Sequence, residues 1–501
     1  MAYRTIPQLL ADAATRNPDG VWLRTDDAAM TFAEAAAAVG ARAAVLRERG
    51  IEPGERVLLT ARNTPAYLLT WLAVTSIGAI AVPANPASTR AELTGLVAQT
   101  QPRAVVTDAE LRPLLDHPSV LDVDDLDGSP AEVAMHLARP DDVAVLIPTS
   151  GTTGRSKLVM QTHRAYAMAG EGFPYWMQLS AADRLMTSLP LFHINAPAYS
   201  VLGSLACGAG LVLLPRFSAS GYLDAARRHG ATEFNAIGAM LEILMRQPER
   251  DDDADNPLRL CYTGPAPARE RQLEIERRFG LRIVCGYALS ESPYGLIWPH
   301  GSRLFGTLGT VRQHPTLGVV NQARVVDDLG EDVRTGETGE LLLRSPAVTP
   351  GYWQMPEETA AAITPEGWLH TGDLVVRDEE GVFTFVARKK DVLRRRGENV
   401  SPADIEEAIA AHPSVLECAV VGVASELTED EIKAFVVTSG PADFAALGEW
   451  AAQRLSPFKV PRYWQRLDVL PRTPTQRVAK HLLPAGHPEG ELDMGQDARR
   501  D

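Results

Sequence analysis

From Thr31 to about Gly295, helical patterns alternate with short apolar runs, and this alternation restricts the fold more than any other feature of the chain. Residues 93–99 carry a helical pattern, and Ala104, Val105 and Val106 then read as a strand. Residues 211–214 read as another strand, closed by Pro215, and residues 224–229 return to a helical pattern. Such an order predicts mostly parallel sheets covered by helices. From Gly306 to Phe385 the texture changes to short strands with glycine turns at Gly330, Gly336, Gly339 and Gly381. That predicts a β-rich subdomain over about 305–386. Past Asp391 a small α+β unit is expected. Residues 402–411 form an amphipathic helical pattern with Ser401 as its N-cap, and residues 419–423 and 434–437 read as strands. The polar stretch 488–501 is expected to be a disordered tail.

Composition excludes several classes. At 501 residues the chain is long enough for several subdomains and a large core. Its 49 basic and 64 acidic residues give a net charge of -15, which argues against nucleic acid or an anionic membrane as partner. Cys207, Cys261, Cys285 and Cys418 show no CxxC spacing, so buried free thiols in a reducing, cytoplasmic setting are expected rather than disulfides or zinc. The first twenty residues have no apolar signal core. The longest apolar stretch, 68–82, is broken by Thr70, Thr75, Ser76 and Gly78 and is too short to span a membrane.

The strand-like run Val143, Val145, Leu146, Ile147 leads into Thr149-Ser150-Gly151-Thr152-Thr153-Gly154-Arg155-Ser156-Lys157. Glycines let a backbone approach phosphate oxygens, hydroxyls donate hydrogen bonds, and the lysine adds charge. The spacing is not that of the Gly-x-x-x-x-Gly-Lys-Ser/Thr loop. By itself the stretch is equally compatible with an ordinary surface loop.

Further motifs follow in a fixed order: Leu189-Pro190-Leu191-Phe192-His193-Ile194-Asn195, Thr263-Gly264-Pro265-Ala266-Pro267 and Gly286-Tyr287-Ala288-Leu289-Ser290-Glu291. Then come Gly336-Glu337-Thr338-Gly339-Glu340-Leu341, Gly367-Trp368-Leu369-His370-Thr371-Gly372-Asp373, Arg388-Lys389-Lys390-Asp391 with Gly397-Glu398-Asn399, and Pro471-Arg472-Thr473-Pro474-Thr475-Gln476-Arg477. In this order, from about Leu9 to Leu483, the chain resembles the adenylate-forming (AMP-binding) superfamily, which includes acyl- and aryl-CoA synthetases, adenylation domains and beetle luciferases. The segment Phe234 to Met240 and the stretch Pro474-Thr475-Gln476-Arg477 are similar to the carnitine-CoA-ligase-like branch.

The resemblance implies an N-terminal domain over 1–389, a small mobile C-terminal lid over 391–487, and a hinge at Lys390. It implies an ATP-dependent acyl-CoA ligase that makes an acyl-adenylate and then passes the acyl group to coenzyme A. Thr149, Ser150, Gly151, Thr152, Thr153, Gly154 and Lys157 would hold the phosphates. Gly264, Pro265 and Ala266 would line the adenine, and Tyr287 would stack on it. Ser290 would reach a phosphate, and Glu291 would bind Mg²⁺, a hard ion that prefers oxygen ligands. Asp373 would accept the ribose hydroxyls, with Arg388 as a second contact. His193 would gate the acyl pocket, with Asn195, Ile237 and Gly238 as walls. Arg396, Gly397 and Glu398 would line the thiol tunnel. A homodimer is expected from the same resemblance.

Three departures stand out. Ser156 replaces a proline, Arg396 replaces the first of two glycines, and Arg477 replaces the lysine that in relatives reaches the carboxylate and α-phosphate. Arginine keeps the charge but is a planar fork, not a compact ammonium. Losing one positioned electrostatic donor costs on the order of 10²–10³ in rate. Arg477 serves adenylation itself, or Lys480 takes over, or the protein only transfers a preformed acyl-adenylate to CoA and depends on a separate adenylating enzyme. Other readings are a ligase that loads a carrier protein or another nucleophile, and a non-catalytic nucleotide binder. Intact Glu291, Asp373 and Arg388 argue against the last.

Overall fold

The computed structural model describes residues 3–128, 138–149, 156–264, 267–395, 398–424, 430–472, 478–484 and 491–494. A six-stranded sheet runs in the spatial order Val120–Asp122, Ala104–Thr107, Arg56–Thr60, Ile80–Pro83, Val143–Thr149, Lys157–Thr162. All its pairs are parallel except the last, which is antiparallel. Every residue of Ile80–Pro83 and of Ala104–Thr107 is buried, as strands covered on both faces require. The helices Pro65–Ser76 and Arg90–Thr100 make the crossovers. Each starts on a threonine. Thr64 Oγ1 accepts the Tyr67 N–H at 3.2 Å, and Thr89 forms a capping box with Glu92.

A nine-stranded sheet follows the order Thr310–Val311, Leu296–Ile297, Arg282–Tyr287, Leu260–Thr263, Glu233–Asn235, Arg184–Thr187, Gly210–Leu213, Val21–Arg24, Ala29–Thr31. Its centre is parallel and its outer pairs are antiparallel. The expected α/β architecture is therefore present. The strands predicted at 104–106 and 211–214 appear as Ala104–Thr107 and Gly210–Leu213, and the helix at 224–229 as Tyr222–His229. All four cysteines are free. Cys261 and Cys285 are buried as expected, whereas Cys207 and Cys418 are only partly so. Among the described residues no helix is long and apolar enough to cross a membrane.

The expected β-rich segment contains the strands Gln322–Val326, Thr338–Arg344, Leu369–Arg377 and Phe383–Arg388 in sequential order. Gly330, Gly336 and Gly381 adopt positive φ in its turns. Gly339 does not turn the chain. It sits inside the strand Thr338–Arg344, where a Cβ would lie 2.5 Å from Val326 O. Glycine is needed there for close backbone approach.

The chain divides into two compact units. The first is Met1–Arg324 with Leu342–Thr371 and Glu380–Phe383; the second is Val325–Leu341 with Gly372–Glu379 and Thr384–Asp501. The second unit has its own core around Val400, Ile405, Ile409, Val420, Ile432 and Trp464. Its sheet has the order Val415–Ala424, Asp430–Thr438, Tyr463–Arg466, Leu492–Asp493. Two expectations fail here. The helix Pro402–Ala410 forms, but Ser401 makes no capping bond; its hydroxyl donates to Val386 O at 2.8 Å. The tail is not wholly disordered either, because Leu492–Asp493 pairs with Tyr463 and Trp464. Two of its described side chains are held by ion pairs: Arg462 grips Asp493 with both ends of its fork, and Glu491 pairs with the fully buried Lys433.

Candidate active site

The hydroxyl-rich motif begins where the strand Val143–Thr149 ends and finishes where Lys157–Thr162 begins. Thr149 and Lys157 are register partners, and Thr149 Oγ1 donates to Lys157 O at 3.2 Å. Residues on either side of the loop thus belong to an antiparallel pair, so no helix N-terminus follows it, unlike the strand–loop–helix phosphate motif. Ser150, Gly151, Thr152, Thr153 and Gly154 lie outside the described residues.

Lys157 and Glu291 come together through a residue that the sequence reading passed over. Lys157 Nζ lies 4.8 Å from the centre of the Tyr352 ring, and the Tyr352 hydroxyl donates to Glu291 Oε1 at 2.9 Å. Burial, and next the Glu291 carboxylate, push the Tyr352 phenol above its ordinary pKa, so it stays a donor. Tyr352 is placed by Thr349–Trp353, which runs beside the strand Lys157–Thr162: Met160 N–H donates to Gly351 O at 3.0 Å and Trp353 N–H to Leu158 O at 2.9 Å. Thr349 N–H also donates to Glu291 O at 2.8 Å. Gly351 has φ of +138°, a region that favours glycine. The sequence signal was Thr349-Pro350-Gly351-Tyr352, in which the glycine announces special backbone and the tyrosine a donor.

Ser290 and Glu291 sit in a tight turn, with Leu289 and Ser292 exchanging backbone hydrogen bonds at 3.0 and 3.1 Å. The buried Gln161 amide donates to Ser290 O. Glu291 Oε2 takes no hydrogen bond among the described residues. One such oxygen suits Mg²⁺, which keeps its waters and takes the rest of its ligands from phosphates. Among the described residues no group of three or more His, Cys, Asp or Glu is arranged to hold a metal ion.

Tyr287 ends the strand Arg282–Tyr287 and faces Leu296 in register. Gly264 and Gly286 approach so closely that a Cβ on Gly264 would lie 2.3 Å from Gly286 O. The predicted adenine wall therefore has bare backbone at Gly264, while Pro265 and Ala266 lie outside the described residues. Beside Gly286, where a Cβ would lie 2.7 Å from its Nη2, is fully buried Arg312, also absent from the sequence reading. Its Nε donates to Leu296 O at 2.9 Å, and its Nη1 donates to Pro293 O at 3.2 Å and to the Tyr199 hydroxyl at 2.8 Å. Its Nη2 donates to the Tyr262 hydroxyl. These bonds fix the segment immediately after Glu291. An isolated arginine in sequence gives no sign of this.

Among the residues expected to line the acyl pocket, the Phe192 and His193 rings lie 4.3 Å apart, and His193 N–H donates to Pro190 O at 3.1 Å. Asn195 precedes a π-helical stretch, Ala196–Val201, a distortion that recurs at functional sites. Its Oδ1 accepts from Nδ2 of fully buried Asn235 at 2.7 Å. Ile237 leads into the helix Gly238–Met245, and a Cβ on Gly238 would meet nothing within 4 Å, so that position borders open space.

In the second unit, Asp373 and Arg388 form an ion pair at 2.7 Å, with the Asp373 side chain 1% exposed. Lys389 pairs with Asp328 at 2.9 Å and with Glu340 at 3.2 Å. Arg395 pairs with Glu431 at 2.7 Å. Arg388, Lys389 and Arg395 are thus spent on internal partners rather than presented as a basic patch. Lys390 is exposed. Lys480, a candidate substitute for the missing lysine, is bound to Glu406 Oε1 at 2.7 Å. Arg395 faces Glu398 across a strand pair. Arg396, Gly397 and Arg477 lie outside the described residues.

These placements can be set against known proteins. The AMP-binding enzyme profile matches residues 10–353, and that of the AMP-binding enzyme C-terminal domain matches 404–477. A crotonobetaine/carnitine–CoA ligase of Salmonella heidelberg (strain SL476) is 31% identical over 469 residues, covering 87% of this chain and 89% of the relative. The crystal structure of ATP-bound MatB from Rhodopseudomonas palustris is similar with a TM-score of 0.87 and 27% identity, covering 96% of this chain and 98% of that one. O-succinylbenzoate coenzyme A synthetase from Bacillus subtilis, in complex with AMP, gives 0.86 and 26%, over 96% and 98%. Motif order, geometry and these likenesses agree: the chain belongs to the AMP-binding enzyme family.

Proposed function

We propose that the protein is an ATP-dependent acyl-CoA ligase. A carboxylate attacks the α-phosphorus of ATP, giving acyl-adenylate and pyrophosphate; the CoA thiol then attacks the acyl carbon, giving the thioester, AMP and a proton. The observation that carries this reading is the Lys157–Tyr352–Glu291 cluster beside the hydroxyl-rich loop. A cation and a carboxylate held close together in this way would suit a polyphosphate and its Mg²⁺. Glu291 would hold Mg²⁺, whose charge offsets that of the phosphates. Asp373 and Arg388 serve the ribose, Gly264 and Tyr287 the adenine, and His193, Asn195, Ile237 and Gly238 the acid. Lys390 is the hinge on which the C-terminal domain turns between half-reactions, and Arg396, Gly397 and Glu398 would line the thiol route.

A second reading is favoured by one observation. Lys480 is held by Glu406, so it does not replace the usual lysine in this conformation. Adenylation then depends on Arg477, and a protein in which Arg477 fails would transfer only preformed acyl-adenylates to CoA. Two assays separate the readings: pyrophosphate release from ATP, Mg²⁺ and a panel of acids, and thioester formation from synthetic acyl-adenylates and CoA. A complete ligase performs both. If only the second proceeds and Arg477→Lys restores the first, the transfer-only reading holds. Failure of both sinks the ligase assignment.

A further inference from the structure

We propose that Glu340 is a positioning residue that ties the ribose contact at Asp373 to the hinge at Lys390. This rests on the ligase reading above, which gives those two residues their roles. Glu340 lies in the strand Thr338–Arg344 with its side chain 8% exposed. Its two oxygens point to two different segments. Oε1 accepts the Gly372 N–H at 3.1 Å, and Oε2 takes Lys389 Nζ at 3.2 Å. Gly372 has φ of +69° and immediately precedes Asp373. Lys389 immediately follows Arg388 and precedes Lys390.

Two adjacent links therefore join the same two segments. Asp373 reaches Arg388 directly, and Gly372 reaches Lys389 through Glu340. Lys389 has a second carboxylate in Asp328, but that side chain is 88% exposed, and exposed pairs are weak. Buried Glu340 is the anchor that fixes the spacing. A ribose diol that takes up Asp373 oxygens competes with Arg388. With Gly372 and Lys389 held by one carboxylate, that competition is transmitted to the Lys389–Lys390 step instead of being absorbed by slack in the loop. Nucleotide occupancy is then sensed at the hinge without contact between the two.

Lys389 and Lys390 are exposed, which offers a readout independent of turnover. Trypsin cleavage after Lys390 is timed with and without saturating AMP, and AMP affinity is measured by calorimetry on the same samples. In the native protein AMP slows cleavage. In Glu340→Gln, which keeps an acceptor for Gly372 but loses the charge facing Lys389, that protection falls about tenfold, the factor that one charge-assisted hydrogen bond carries, while AMP still binds. Lys389→Met, which leaves the Glu340–Gly372 bond in place, loses the protection as well, and Glu340→Asp partly keeps it. Thermal melting checks that each variant is folded. Full protection in folded Glu340→Gln or in Lys389→Met overturns the proposal. A native protein that binds AMP without protection also overturns it and leaves the ligase reading intact. A native protein that does not bind AMP overturns both.

Discussion

Single residues set the chemistry of the site, and the contacts around them state what each contributes. Asp373 is buried against Arg388. Asp373→Asn keeps the shape but removes the charge, leaving a partly buried guanidinium facing a neutral amide. AMP affinity is expected to fall by about tenfold to a hundredfold, matching the 1.5–3 kcal/mol typical of hydrogen bonds to charged groups; unchanged affinity in a titration would remove Asp373 from the ribose. Tyr352→Phe keeps the ring beside Lys157 and deletes only the donor to Glu291. A loss of about 1 kcal/mol in stability is expected, with a raised KM for ATP at limiting Mg²⁺. An unchanged KM would mean that Glu291 is oriented by the Leu289–Ser292 turn alone. Glu291, Asp373 and Lys157 could be named as candidates because their motifs are contiguous. Tyr352 and Arg312 could not, because their partners are distant in sequence: the Tyr352–Glu291 bond spans 61 positions and the Arg312–Tyr199 bond 113.

At the level of elements, the short strand Glu233–Asn235 carries a cost. Glu233 is fully buried, and its carboxylate oxygens have no hydrogen bond among the described residues. Burial, reinforced by Asp183, raises its pKa well above 4.5. A carboxyl raised on folding makes the native state bind the extra proton, so stability falls as pH rises from 4.5 toward the folded value. Glu233→Gln is therefore expected to raise the melting temperature at neutral pH and leave it unchanged near pH 4; equal shifts at both pH values would refute the assignment. The segment Thr349–Trp353 depends on Gly351, where a Cβ would meet Thr359 Cγ2 at 2.4 Å at φ of +138°. Gly351→Ala should cost about 1–3 kcal/mol and displace Tyr352, lowering both stability and adenylation in parallel assays. Gly238→Ala, which meets nothing within 4 Å, should leave stability nearly unchanged. Strand and helix existence was readable from apolar runs and periodicity, but such patterns do not reveal which glycine turns the chain and which, like Gly339, admits a neighbouring backbone.

Across the whole molecule, the two compact units rest on separate cores. Truncation after Pro488 removes Glu491 and Asp493, and with them the carboxylates that pair with buried Lys433 and with Arg462. Breaking a buried pair by removing one partner costs about 3–5 kcal/mol. Calorimetry should show the second unit melting earlier while the main transition stays in place; a single unshifted transition would mean that the last strand adds nothing. The sequence by itself determined the parallel α/β architecture, the order of the motifs and most of the nucleotide-binding candidates, because apolar periodicity and contiguous motifs are local properties of the chain. Tertiary structure alone decided that Tyr352 joins Lys157 to Glu291, that Arg312 braces the segment after Glu291, that Glu406 holds Lys480, and that Leu492–Asp493 pairs as a strand. The physical reason is common to all four. Each depends on pairing between groups distant in sequence, and a buried polar group stays inside only where the fold supplies its partner.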